Sequence, residues 1–198
     1  MRTIKMFNRV TPEGFFATAD GNLNWAVPDD ELDQAAGSAS STFDTILFGR
    51  RTYEMFESFW PRALDEPRTT DPHRPGRSSS AMREMATFIN EAQKVVFSRT
   101  RKDVSWKHSR LVREFVPGEV EAWKNQPGKN MIIFGSGSIV SLLTEHGLID
   151  EYQLVVSPLI LGSGRPLFDG LSKATKLDLI EAKPYRSGNV VIRYARAK

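Results

Sequence analysis

Short, almost wholly apolar runs alternate along this chain with longer stretches in which apolar residues recur every three or four positions. Residues 3–10 form a β-rich opening, closed by the turn-forming Thr11-Pro12-Glu13-Gly14. Residues 15–25 contain Asp20-Gly21-Asn22 and read as a long loop. Pro28-Asp29-Asp30 starts a helix running towards Ser41, with carboxylates in the first turn, where the helix dipole favours them. Asp44-Thr45-Ile46-Leu47-Phe48 is a strand of the kind buried on both faces of a parallel sheet. Gly49 ends it, and residues 51–59 have helical spacing. Lys94-Val95-Val96-Phe97-Ser98 and Met131-Ile132-Ile133-Phe134 repeat the strand pattern, and Leu111-Val112 marks a weaker one. Helices are expected over 80–91, 118–125 and 139–146.

After Gly147 the rhythm changes. Residues 152–157, 177–182 and 189–195 read as strands, and Arg186-Ser187-Gly188-Asn189 joins the last two as a hairpin turn. The expected fold is α/β: a three-layer α/β/α mixed sheet with a parallel centre and an antiparallel C-terminal hairpin. A chain of 198 residues suffices for one buried core, so residues 1–198 are read as a single domain. Residues 61–80 turn to Pro, Arg, Thr, Asp and Ser with little to bury, and read as a flexible insertion within it.

Composition removes several chemistries. With no cysteine there is no disulfide scaffold, thiolate metal site or cysteine nucleophile. His73, His108 and His146 are never at metal-ligand spacing, so no metal is expected. No apolar run approaches the roughly 18 residues of a membrane span. The opening Met1-Arg2-Thr3-Ile4-Lys5-Met6-Phe7 lacks the apolar stretch of a signal peptide, so a cytoplasmic location is expected, with no membrane partner. Net charge is +3, but the basic residues come in small groups, Arg50-Arg51, 99–102 and 107–113. No helix-turn-helix, RNP or zinc-knuckle pattern surrounds them, and no nucleic-acid partner is expected. Ser136 and Ser163 lack a nearby base, while Trp106 and Trp123 read as packing residues.

What remains is concentrated at strand ends. Phe48-Gly49-Arg50-Arg51-Thr52, Phe97-Ser98-Arg99-Thr100 and Phe134-Gly135-Ser136-Gly137-Ser138 all follow buried strands with small or hydroxylic residues. Ligands of open α/β sheets bind outside the carboxyl ends of the strands. Glycines before a helix let N–H groups approach phosphate, and arginines neutralise its charge. A ligand with several phosphates fits this set. The P-loop pattern is absent, and Val140 stands where a Rossmann fingerprint needs its third glycine.

These residues resemble the dihydrofolate reductase fold. Gly49-Arg50-Arg51-Thr52-Tyr53-Glu54 is similar to its G-R-x-T-x-E turn, Ser98-Arg99-Thr100 to its second phosphate-side turn, and Phe134-Gly135-Ser136-Gly137 to its pyrophosphate turn. Gly147-Leu148-Ile149-Asp150-Glu151-Tyr152 and Leu161-Gly162-Ser163-Gly164-Arg165-Pro166-Leu167-Phe168 resemble the branch that holds the riboflavin-biosynthesis (RibD) C-terminal reductase domain. The resemblance runs over residues 4–194.

It implies an NADPH site. Gly49, Arg50, Arg51 and Thr52 would hold phosphates, with Arg50 or Arg51 on the 2′-phosphate. Ser98, Arg99 and Thr100 would border the adenosine side. Gly135, Ser136, Gly137, Ser138 and Ile139 would present N–H groups to the pyrophosphate, and the loop at Phe16 and Ala17 would cover the nicotinamide. Trp25, Trp60 and Arg165 are the implied substrate contacts. Trp25-Ala26-Val27-Pro28-Asp29-Asp30 is similar to the W-x-x-P-x-D register of a pterin-binding carboxylate, which makes Asp30 a candidate acid; an acidic helix start explains it equally. Glu13 is the second candidate, although Pro12-Glu13 replaces the more usual Leu-Asp.

The implied function is NADPH-dependent reduction of a pteridine or ribosylaminopyrimidine substrate, like that of 5-amino-6-(5-phosphoribosylamino)uracil reductase. Dihydrofolate reductase activity and a non-catalytic NADPH-binding or regulatory role are the alternatives. Relatives of the riboflavin branch commonly pair through the terminal hairpin region, so a homodimer is expected.

Overall fold

The computed structural model describes residues 1–64 and 80–197. In β1 (Ile4–Val10), Ile4, Met6, Asn8 and Val10 alternate inward on one face, while Lys5, Phe7 and Arg9 turn to the other. β3 (Phe43–Gly49), β4 (Gln93–Phe97) and β6 (Asn130–Ile133) are apolar on both faces: Leu47, Val95 and Ile133 enter one core cluster, Phe48, Val96 and Ile132 the other. Full burial of such a side chain contributes about 1.5–3 kcal/mol, which commits these segments to the middle of the sheet.

β5 (Ser109–Val112), β7 (Glu151–Val156), β9 (Leu177–Pro184) and β10 (Val190–Arg196) complete an eight-stranded sheet in the order β5-β4-β3-β6-β1-β7-β10-β9. Pairings from β5 to β7 are parallel, and β10 is antiparallel to both its neighbours. The turn between β9 and β10 closes through Gly188 N–H donating to the Tyr185 carbonyl at 3.0 Å. Gly188 has φ +87°, and a Cβ there would meet Pro158 Cγ at 2.9 Å, so glycine is required on both counts. The mixed, three-layer α/β/α fold expected from the sequence is the observed one.

Helices α1 (Asp30–Ser40), α2 (Arg50–Phe59) and α3 (Ser80–Glu91) cover one face; α4 (Pro117–Lys124) and α5 (Gly137–Glu145) cover the other. Gly37 lets α1 and α3 approach closely, since a Cβ there would sit 3.1 Å from Ala81 Cα. The connections after adjacent strands β3 and β6 therefore leave towards opposite faces. That is a topological switch point, where a crevice opens at the carboxyl ends of the strands.

Two segments differ from expectation. The loop at 15–25 contains β2 (Phe15–Ala17), which pairs antiparallel with β8 (Arg165–Pro166). Gly164 permits this: a Cβ there would lie 2.6 Å from the Ala17 carbonyl oxygen. Of the insertion expected over 61–80, residues 65–79 lie outside the described residues. Of the rest, Pro61 and Arg62 belong to a 3-10 turn at Trp60–Arg62, Ala63 and Leu64 form a turn, and Ser80 starts α3. No described helix is long and apolar enough to cross a membrane.

Candidate active site

The switch point opens into one cavity of about 1530 Å³. Single-ligand pockets usually measure roughly 300–1,000 Å³, so this volume accommodates two molecules side by side. Its two lobes differ in chemistry.

The first lobe lies over the strand ends. β3 runs into Gly49, the N-cap of α2, and β6 leads through Gly135 to Ser136, the N-cap of α5. Neither N-cap side chain bonds its own helix, although at the start of α5 the Ile139 N–H already donates to the Ser136 carbonyl at 3.1 Å. The two ends nearly touch: a Cβ on Gly49 would fall 2.2 Å from Ser136 Oγ. Ser136 Oγ and Ser138 Oγ are 2.8 Å apart. The Gly135-Ser136 peptide is cis, and Gly135 has φ +111°. After β4, Ser98 Oγ accepts the Arg101 N–H at 3.0 Å and the Thr100 N–H at 3.3 Å, which shapes the turn that borders the lobe.

Arg50, Arg51 and Arg99 line this lobe and have no ion-pair partner among the described residues. Arg101 is engaged instead, with Glu57 at 2.7 Å and Glu54 at 3.4 Å; burial works against its charge, but those carboxylates outweigh it and hold the guanidinium pKa above its usual value. Arg113 donates to the carbonyls of Arg101 and Lys102. Two helix dipoles and uncommitted guanidinium groups on one concave surface make a polyanion site.

The second lobe lies between the sheet and helices α1, α2 and α3. Thr52, Met55, Phe56 and Phe59 project from α2 at helical spacing along one wall. Phe56 stacks on Phe134 with ring centroids 5.6 Å apart, Phe134 meets the edge of Phe7 at 6.1 Å, and Trp60 lies 5.9 Å from Phe56. Asn90 fixes Trp60 by donating to its carbonyl at 2.8 Å. Leu32 and Ala36 of α1 and Ala81, Met82 and Met85 of α3 complete the apolar wall. Among the described residues, Arg9 and Asp33 are the charged groups here, paired at 3.0 Å, with Arg9 also donating to the Val27 carbonyl. Two cavity-bordering residues each carry a side-chain atom that is sealed from solvent and has no partner among the described residues, Asn8 Oδ1 and Trp25 Nε1.

Phe16, Ala17, Gly49, Arg50, Arg51, Thr52, Ser98, Arg99, Thr100, Ser136, Gly137, Ser138 and Ile139 all line the cavity, as do Trp25, Trp60 and Arg165. Gly135 lies beneath it, its Cα facing Thr52 and Asn8. The two candidate acids do not reach the cavity. Asp30 is exposed at the first position of α1, on the far side of the N-cap Asp29. Asp29 itself is buried, which pushes its carboxyl up, but the Ser187 hydroxyl and the Leu32 N–H bond it and hold it below the usual range. Glu13 is exposed, and both its oxygens are taken, by the N–H groups of Leu161 at 2.7 Å and Gly162 at 2.9 Å. Its role in this geometry is to clamp the turn before β8. The carboxylate that α1 does present to the cavity is Asp33.

Sequence reasoning missed Asn8, Arg9, Asp33 and the faces of α2 and α3. Asn8 alone left a local signal: it is the polar residue in the inward-facing series Ile4, Met6, Asn8, Val10.

The family model of the RibD C-terminal domain matches residues 2–191. YyaP, an uncharacterised protein of Bacillus subtilis (strain 168), is 28% identical over 185 residues, covering 93% of this chain and 90% of the relative. YwjB of the same organism is 28% identical over 197 residues, 99% of each chain. Among solved structures, a Shewanella sp. PV-4 protein assigned to riboflavin biosynthesis superposes with a TM-score of 0.73 at 21% identity, covering 99% of both chains. Enterococcus faecalis dihydrofolate reductase, solved with NADP(H) and RAB-propyl, gives a TM-score of 0.63 at 13% identity over 99% of this chain and 97% of its own. At these identities the structural likeness speaks for the fold.

Proposed function

The chain belongs to the RibD C-terminal domain family, and from that premise we propose that it is an NADPH-dependent reductase. Its substrate in this reading is a conjugated heterocycle of the pteridine or aminopyrimidine kind. The observation that carries the reading is the cavity itself. Uncapped N-termini of α2 and α5, with Arg50, Arg51 and Arg99 around them, open directly into an aromatic lobe large enough for a second molecule.

Bound nicotinamide would supply the hydride. The chain's own contributions are binding, orientation and exclusion of water. The first-turn N–H groups of α2 and α5 suit the pyrophosphate, and Arg50 or Arg51 suits a 2′-phosphate through a bidentate, charge-assisted contact. The β2–β8 ribbon carries Phe16 and Ala17 over the cavity, where they restrict how a flat ring can lie. The aromatic wall of Phe56, Phe134 and Trp60 removes water from the second ring, which strengthens every polar contact made there. The proposal extends to a cytoplasmic homodimer that pairs along the edge strand β9.

NADPH and NADH titrated against intrinsic tryptophan fluorescence, followed by an NADPH-oxidation assay over pterins and ribosylaminopyrimidines, test the reading. Turnover with tight NADPH binding supports it. Tight binding with no turnover on any member favours a nucleotide-binding or regulatory protein, and absence of NADPH binding sinks both.

A further inference from the structure

Glu13 is exposed and stands outside the cavity, yet both its carboxylate oxygens are committed to one backbone turn. Oε2 accepts the Leu161 N–H at 2.7 Å and Oε1 the Gly162 N–H at 2.9 Å. Gly162 has φ +72°, and successive N–H groups turned to one side in this way form a concave anion cradle. A charged acceptor makes such bonds roughly twice as strong as neutral ones, so Glu13 fastens the turn.

The fastened turn leads straight into β8. Gly164 lies against the Ala17 carbonyl oxygen and the Phe15 side chain, which a Cβ would meet at 2.6 and 2.9 Å. Arg165 and Pro166 pair with Ala17 and Phe15, and the Leu167 N–H donates to the Gly14 carbonyl at 3.0 Å. Arg165 Nε extends the grip to the Ala19 carbonyl, also at 3.0 Å. The far end of the segment is tied to α5, where the Asp169 N–H donates to Ser141 Oγ at 3.0 Å and the Ser172 N–H to Glu145 at 3.1 Å. Phe16 borders the cavity between these attachments. Its ring also meets the start of α5: a Cβ on Gly137 would fall 2.9 Å from Phe16 Cε1 and 3.1 Å from the carbonyl oxygens of Pro166 and Leu167. Close-packed groups transmit a displacement instead of absorbing it, so a shift of residues 161–167 reaches Phe16.

We infer that Glu13 is a positioning residue for the reacting end of the cofactor. Through the Leu161-Gly162 turn and β8 it holds Phe16 and Ala17 against the nicotinamide ring, touching neither cofactor nor substrate itself. The inference rests on the reductase reading above. It ties Glu13 to one end of the cofactor only, because Arg50, Arg51 and Arg99, which suit the phosphates, stand on α2 and on the turn after β4.

NADPH and 2′-phospho-ADP-ribose carry the same phosphates and riboses and differ in the nicotinamide, so together they separate the two ends. Both are titrated calorimetrically into the wild-type chain, Glu13→Ala and Glu13→Asp. Glu13→Ala weakens NADPH binding by about tenfold and changes that of 2′-phospho-ADP-ribose by less than about twofold. Glu13→Asp keeps the charge on a shorter arm and recovers part of the loss. Glu13→Gln, which keeps the shape and one acceptor, takes the place of Glu13→Ala if that chain fails to fold. Unchanged NADPH affinity overturns the inference, and so does an equal loss for both ligands, the mark of a clamp that only stabilises the fold. Absence of NADPH binding to the wild-type chain overturns it together with the reductase reading. Failure of the reductase reading alone looks different: the Glu13 variants discriminate between the two ligands, but no heterocycle is reduced.

Discussion

Gly49→Ala probes the point where the arginine-lined lobe is built, the lobe proposed to hold the nucleotide. Gly49 has φ −79° and ψ 158°, a conformation open to any residue, so the backbone does not resist the change. The added methyl would lie 2.2 Å from Ser136 Oγ, 3.3 Å from Ser136 Cβ and 3.4 Å from its backbone nitrogen. The first contact is impossible without movement, and the other two leave little room for it. Overpacking of this kind costs about 1–3 kcal/mol. If the strain is relieved by parting the N-termini of α2 and α5, the loss appears in nucleotide affinity, where 1.4 kcal/mol is tenfold. NADPH should then bind about 5- to 100-fold more weakly by fluorescence titration. Ser136→Ala in the same chain removes the 2.2 Å contact and should recover most of the loss, a non-additivity that identifies the pair as coupled. Wild-type affinity in Gly49→Ala, or no recovery in the double variant, would refute the idea that these two helix ends hold the cofactor together.

The remaining expectations are briefer. Replacing Arg50 and Arg51 by alanine should erase any preference for NADPH over NADH, checked by parallel titration of both nucleotides; an intact preference moves 2′-phosphate recognition elsewhere. Lys94 is fully buried, and burial, with the Lys107 charge, pushes its ammonium down from 10.5 to about 8. Between those values the unfolded chain binds the extra proton, so stability should rise with pH by at most about 3 kcal/mol; urea midpoints should show that rise in wild type and not in Lys94→Met. Asp30→Asn should leave turnover unchanged, because Asp30 is exposed outside the cavity; a fall of about 10²-fold or more would restore it as the proton-handling acid. Light scattering should report a dimer, lost in Ile180→Lys, since β9 leaves Leu179 and Ile180 61% and 48% exposed on an unpaired edge.

The two lobes were unequally legible for a physical reason. Every element of the first lobe is local: a buried strand and a glycine or serine follow one another within a few residues, and after β3 and β6 a helix N-terminus follows as well. Three such turns at 48–52, 97–100 and 134–138 therefore declare themselves in the linear sequence. The central strands were legible for the same cause, since burial on both faces writes an unbroken apolar run. The β2–β8 ribbon was not, because its strands, of three and two residues, are held by the absence of a Cβ at Gly164, some 147 positions after Ala17.

The aromatic lobe is tertiary throughout, and Asp30 shows what that costs a local reading. The W-x-x-P-x-D register selects the carboxylate at the helix start. In the fold, Asp29 is drawn into the N-cap by the Leu32 N–H at 2.9 Å and by the Ser187 hydroxyl, a group 158 residues away. That docking sets the rotation of α1. Asp30 is then carried to solvent, while Asp33 and Ala36, three and six residues on, come round to the cavity together with Leu32. Which carboxylate of α1 faces the cavity thus depends on the terminal hairpin gripping the N-cap. Of the residues around the cavity that a local reading missed, Asn8 alone left a local signal, as the polar side chain in the inward-facing series of a buried strand.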